Sequence, residues 1–249
     1  MSGHSKWTQI KRQKGVADAK RAQVFTRLGR ELTVAAKHGG TDPEGNPRLR
    51  LAIDHAREAN MPKDNIERAI KRGSGDEAGA ADLQEAVYEG YGPGGTAILV
   101  EALTDNRNRT ASDVRGAFAK AGGNLGEAGS VAWQFEVKGL IAVDASGADP
   151  EELALLAIDS GAEDVRVDGT SVEVYTRPEQ LEAVQRALAD RGVSVASAEL
   201  AQLPKSTIRL EPRQAEQVLR LLDKLDDLDD VQRVSSNGDF PDEVLAAYA

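Results

Sequence analysis

Hydrophobic residues along this chain first follow a helical period and then a strand period. From Val16 to Lys37, at about 100° per residue, Val24, Phe25, Leu28, Leu32, Ala35 and Ala36 fall on one broad stripe. On the same wheel Lys20, Arg27, Arg30 and Lys37 lie opposite, while Arg21 projects beside the stripe and must snorkel. His38-Gly39-Gly40 stops this helix. Asn46 as N-cap and Pro47 at the first helical position predict a second helix, with Leu49, Ala52, Ile53 and Ala56 inward. A third, short helix runs from Pro62 through Ile66, Ala69 and Ile70 to Gly73. Three helices with short connections predict a small bundle.

Beyond a Gly/Ala-rich linker over Gly73–Ala81 the period changes. Ala86–Tyr91 and Thr96–Leu103 read as strands around a turn at Pro93-Gly94-Gly95. Thr110, with Asp113 three residues on, reads as the cap of a helix reaching about Ala121. Val131–Val137 and Leu140–Asp144 predict a hairpin. A helix over Pro150–Ser160, strands near Val165–Val167 and Val172–Tyr175, a helix over Pro178–Arg191 and a strand over Val193–Ala198 follow. Strand Thr207–Leu210, helix Pro212–Leu225 and strand Val231–Ser235 end the pattern. The expected fold is therefore α+β and multidomain: a basic helical domain over 1–75, then two ferredoxin-like α/β sandwiches. The sandwich of 131–203 is inserted into a discontinuous one made of 82–130 and 204–240.

Composition excludes several classes. There is no cysteine, hence no disulfide, thiolate catalysis or cysteine zinc site. No apolar run approaches a membrane span, and residues 1–15 have no signal-peptide core, so a cytoplasmic protein without a membrane partner is expected. The net charge of −10 would argue against a nucleic-acid partner, but it is divided unevenly. Residues 1–75 hold 16 Lys+Arg and 8 Asp+Glu, a net +8; residues 76–249 hold 15 and 33, a net −18. A basic head on an acidic body suits a polyanion at the head.

The candidate contact residues follow from that division: His4, Ser5, Lys6, Trp7, Lys11, Arg12, Lys14, Lys20, Arg21, Arg27, Arg30 and Lys37. Against nine cations, residues 1–37 hold only Asp18 and Glu31, whereas a merely solvated face mixes both signs. Trp7 either stacks on an exposed base or packs on its own bundle. Asn106, Arg107, Asn108 and Arg109 form a possible second contact loop; the competing account is local, with Asp105 pairing an arginine and Asn/Thr satisfying the turn. Gly90–Gly95 matches G-x-G-x-x-G, but a strand follows it instead of a helix, so a tight hairpin accounts for it better than a nucleotide site. His4, His38 and His55 lack metal-ligand spacing, Glu151/Glu152 read as helix surface, and no serine sits in a nucleophile elbow. No metal, no cofactor and no enzymatic activity are expected. Asp223–Asp230 reads as a solvated acidic helix end, able to repel DNA or hold a basic partner surface.

The chain also resembles a known family. Gly3-His4-Ser5-Lys6-Trp7, Asn46-Pro47-Arg48-Leu49-Arg50, Asn60–Ile66, Tyr88–Gly95, Thr104–Thr110 and Gly122–Gly126 are similar to blocks of the YebC family, which includes the mitochondrial translational activator of cytochrome oxidase. The resemblance implies a helical bundle plus two α/β domains, one inserted in the other, and no enzymatic activity. It implies either a DNA-binding transcriptional regulator or a ribosome-associated translation factor that binds ribosomal RNA and relieves stalling at proline-rich stretches. A monomer is expected. A phosphate-handling enzyme or a protein adaptor fits the residues less well.

Overall fold

The computed structural model describes Trp7, residues 18–75 and residues 83–248. Three helices come first: α1 (Asp18–Gly39), α2 (Pro47–Glu58) and α3 (Lys63–Gly73). The Asn46 side chain accepts from Leu49 N–H at 3.0 Å, and its amide donates to Ala35 and Gly40 carbonyls at 2.9 and 2.8 Å. One residue thus starts α2 and satisfies carbonyls at the end of α1. Leu32, Ala35, Leu49, Ala52, Ala56 and Ala69 form the bundle core. Gly73 lies so near α1 that a Cβ there would meet the Thr33 carbonyl oxygen.

Strands β1 (Gln84–Tyr91) and β2 (Ala97–Thr104) form the expected hairpin, closed by a single 3₁₀ turn over Pro93–Gly95. Gly94 and Gly95 have φ of 71° and 78°, a conformation that favours glycine. This is a hairpin turn that leads into strand β2 and does not open a helix of its own. Helix α4 (Arg107–Lys120) and the short β3 (Asn124–Leu125) follow. After the excursion described next, β8 (Ile208–Arg209), α7 (Pro212–Asp226), β9 (Val231–Ser236), β10 (Gly238–Asp239) and α8 (Asp242–Tyr248) return to the same place. The sheet has order β3-β1-β2-β9, and all its pairings are antiparallel. Helices α4 and α7 bury Val114, Phe118, Leu219 and Leu222 against Ile98 and Val100. Leu99, on the other face of β2, packs with Val131 and Phe135, so this central strand is apolar nearly throughout.

The excursion is β4 (Phe135–Asp144), α5 (Pro150–Asp159), β5 (Asp164–Asp168), β6 (Ser171–Thr176), α6 (Leu181–Asp190) and β7 (Val195–Pro204). Its sheet order, β5-β6-β4-β7, all antiparallel, is the ferredoxin-like one.

Four expectations change in detail. In place of the hairpin expected across 131–144, a 3₁₀ turn over Ala132–Gln134 leads into one continuous strand, β4. Gly139, which falls between the two expected strands, sits mid-strand, where a Cβ would run into Thr176 Oγ1 and Leu181. Strand β8 leaves the main sheet and pairs in parallel with β10. Asn106, not Thr110, caps α4, accepting from Arg109 N–H at 3.1 Å. Helix α8, absent from the pattern reading, adds Val244 and Leu245 to the larger core.

Candidate nucleic-acid interface

Helix α1 has two occupied faces. Its apolar stripe fills the bundle, and much of its cationic side docks on the acidic end of α7 and the loop after it. Arg27 pairs with Asp226 at 3.3 Å and Arg30 with Asp230 at 2.7 Å, while Arg30 also donates to the carbonyls of Asp229 (2.6 Å) and Leu103 (3.3 Å). Gln23 donates to the Asp227 carbonyl at 2.8 Å. These contacts correct the expectation that Arg27 and Arg30 face an outside polyphosphate: the protein's own carboxylates hold them. Burial lowers the Arg27 pKa, partly opposed by Asp227 and Asp229. Trp7 is corrected too. It is 3 % exposed, packs in the core shared with α7, and donates its indole N–H to Asp223 Oδ1 at 3.1 Å. Its ring is buried, not free to stack on a base, and it anchors this part of the chain to the body. Asp223 also accepts from the Tyr248 hydroxyl.

The second loop divides. Arg109 donates to Asp105 (2.7 Å) and Asp230 (2.8 Å), and Asn106 serves as a cap, so these two residues follow the local account. Thr110 donates to Asp230 at 2.6 Å, and Thr104 lies 3.2 Å from the same oxygen. Burial pushes the Asp230 pKa up, but hydrogen bonds from Arg109 and Thr110 and the charge of Arg30 outweigh it, and the net shift is downward. Arg107 and Asn108 stand exposed on the first turn of α4.

Of the candidate contact residues, His4, Ser5, Lys6, Lys11, Arg12 and Lys14 lie outside the described residues, as does the side chain of Lys20 in the first turn of α1. Arg21 and Lys37 are exposed. The structure adds a group that the sequence reading passed over. Gly73 contacts the backbone of Thr33 and Lys37, which brings together the C-terminal ends of α1 and α3. Lys37 and His38 end the first helix, and Lys71 and Arg72 end the third; all four are exposed, and Arg68 lies one turn earlier on α3. The i, i+3 spacing of Arg68 and Lys71 on a helix of known start was the available signal. Cations here also complement two helix C-termini.

Further polar links fasten the head to the inserted unit. Arg50 reaches Glu182 at 2.7 Å, and His55 Nε2 lies 2.8 Å from the Ala198 carbonyl. His55 is largely buried, which alone would lower its pKa; the Glu31 carboxylate, 3.8 Å from Nδ1, and the Ala198 carbonyl overcome this and raise it to about 9. At neutral pH it is an imidazolium donating across the interface. A cavity of about 560 Å³ lies between α1, α2 and the two sheets. Its charged groups are largely matched: Arg233 lies 3.7 Å from Glu101 and 3.4 Å from Glu199. Among the described residues, no cluster of three or more His, Cys, Asp or Glu is arranged to hold a metal, and no helix is long and apolar enough to cross a membrane.

Fold and charge together define a class: α+β proteins in which a helical head is clamped onto two antiparallel sheet units, the second spliced into the first. Family models give that class its name. Residues 5–76 match the TACO1/YebC protein N-terminal domain, and residues 83–238 match the TACO1/YebC second and third domain. The chain belongs to the TACO1/YebC family. It is 56 % identical over 248 residues to the probable transcriptional regulatory protein cbdbA400 of Dehalococcoides mccartyi, covering 100 % of this chain and 98 % of that protein. It is 55 % identical over 247 residues to a probable transcriptional regulatory protein of Thermomicrobium roseum, covering 99 % and 100 %. Among solved structures it is similar to the crystal structure of the conserved hypothetical protein Aq1575 from Aquifex aeolicus. That match has a TM-score of 0.84 and 48 % identity over 90 % of this chain and 92 % of the other.

Proposed function

We propose that this protein is a non-enzymatic regulator of gene expression that binds nucleic acid through its helical head. The observation that carries the reading is the division of charge, net +8 over residues 1–75 against −18 over the rest. Even with Arg27 and Arg30 occupied, Arg21, Lys37, Arg68, Lys71 and Arg72 are exposed on the head. Exposed lysine and arginine bind phosphates through charge and counterion release and carry little sequence information. The acidic body repels a polyanion elsewhere and leaves the head as the contact. The relatives' shared name, probable transcriptional regulatory protein, supports a regulatory role and DNA as the target. The three packed units serve as domains, with the boundaries expected from the sequence, and Lys6, Lys11, Arg12, Lys14 and Lys20 add positive charge for the same polyanion.

The rival target is RNA, ribosomal RNA included, and one experiment separates the two. Binding to a promoter-length duplex and co-sedimentation with ribosomes are measured in the same buffer and salt. Tighter duplex binding supports the transcriptional reading; ribosome pelleting with weak duplex binding moves the assignment to translation; neither would sink the proposal.

A further inference from the structure

The acidic body carries one surface that the head does not explain. Trp133 is 66 % exposed, the most exposed aromatic side chain given for the described residues. It stands on a 3₁₀ turn (Ala132–Gln134) that the fold holds tightly. The buried Glu89 carboxylate accepts from the backbone N–H groups of Gly129, Val131 and Ala132 at 2.6, 2.7 and 2.7 Å. Tyr91 donates to the Ser130 carbonyl at 2.9 Å, and Asn237 donates to the Gln134 side chain at 3.1 Å. Most of this indole is left in water, yet its mount is fixed from several sides.

The indole's own chemistry narrows the ligand. Its N–H already donates to the Ser130 carbonyl at 3.1 Å, so the free part is an apolar π surface. Lys205 Nζ donates to the Trp133 backbone carbonyl at 2.9 Å, which holds an ammonium on the same residue's backbone. Residues 203–214 carry Lys205, Arg209 and Arg213 against Glu211 alone, a local reversal of the body's charge. All three cations are exposed. A pre-positioned aromatic face with a cation at its base is the arrangement on which unpaired bases stack while their phosphates meet the charge.

We propose that Trp133 with Lys205 is a second nucleic-acid contact, which stacks one unpaired base of a single strand. The inference rests on the nucleic-acid reading above and adds to it a site remote in sequence from the head and a preference for unpaired bases. Its test uses the full chain, a 12-nucleotide single-stranded RNA, and an abasic oligonucleotide of the same length and charge. The RNA is expected to quench the exposed indole, whose emission is separable from that of buried Trp7 by its loss in Trp133→Ala. The abasic strand is expected not to quench it. Trp133→Ala should weaken RNA binding roughly 5- to 100-fold and Trp133→Tyr far less, because a ring is retained. Equal RNA affinity of Trp133→Ala and the wild type, with Lys71→Glu/Arg72→Glu still weakening binding, would overturn this inference alone. No binding of either strand by the wild type would overturn this inference, and the nucleic-acid reading falls with it only where the promoter-length duplex and the ribosome also fail to bind. Quenching that follows protein concentration without oligonucleotide would mark a contact between copies of the chain and also overturn it.

Discussion

Asp230→Asn should loosen the head from the body and lower stability by about 2–3 kcal/mol. The carboxylate has 8 % side-chain exposure and serves both oxygens: Arg30 meets Oδ1, while Arg109, Thr110 and Thr104 surround Oδ2. An asparagine keeps one acceptor and turns a donor toward whichever set is left. Removing one partner of a buried pair costs about 3–5 kcal/mol. Here Arg109 is 47 % and Arg30 21 % exposed, so water replaces part of the loss and brings it to or just below the lower end of that range. For a chain of this size each kcal/mol moves Tm by about 2–4 °C, giving a drop of roughly 4–12 °C in thermal unfolding followed by circular dichroism. Asp229→Asn is the control: its side chain is exposed and only its carbonyl serves Arg30, so its change should stay within about 0.5 kcal/mol. If the two variants melted together, the claim that carboxylates clamp the basic helix would be wrong.

Two further outcomes follow from the same geometry. His55 has its pKa raised from 6.5 to about 9, so its stabilisation is fully present below about 6.5 and is lost as pH rises through about 9. Urea unfolding at pH 6.5 and 10 should show a fall of about 2–3 kcal/mol that largely disappears in His55→Gln, and an unchanged pH dependence in that variant would rule the ion pair out as its source. Gly73→Ala pushes a methyl into the Thr33 carbonyl and should cost about 1–3 kcal/mol despite alanine's better helix propensity; a neutral or stabilising result would mean that the two helices are not in close contact.

Local signals in the sequence carried most of the fold. Asn46-Pro47, the Pro93-Gly94-Gly95 turn and the apolar periods of α1 and α7 each specify their element from neighbouring residues alone. Gly139 misled because an absent side chain marks a close approach as readily as a turn. Helix α8 was missed because seven residues hold fewer than two helical turns, too few for a period to show. The site was less legible. A helical wheel places Arg27 and Arg30 on a polar face, but whether that face meets water or a carboxylate depends on Asp226 and Asp230, about 200 residues away. Both halves of the match were visible, a basic helix and an acidic Asp223–Asp230, and only the tertiary fold says that they are partners. Trp7 shows the same limit, since its anchor, Asp223, lies in the body. The cations of α3 required the opposite step: seeing that α1 and α3 end side by side.

The head's grip on phosphate is tested most directly by titrating a labelled 20-base-pair duplex with the full chain between 50 and 300 mM KCl. With about five phosphates contacted, the plot of log affinity against log salt should fall with a slope of about −4 to −5, and Lys71→Glu with Arg72→Glu should weaken binding and flatten that slope by about two. A flat salt dependence, or a double variant that binds like the wild type at every salt concentration, would contradict the account.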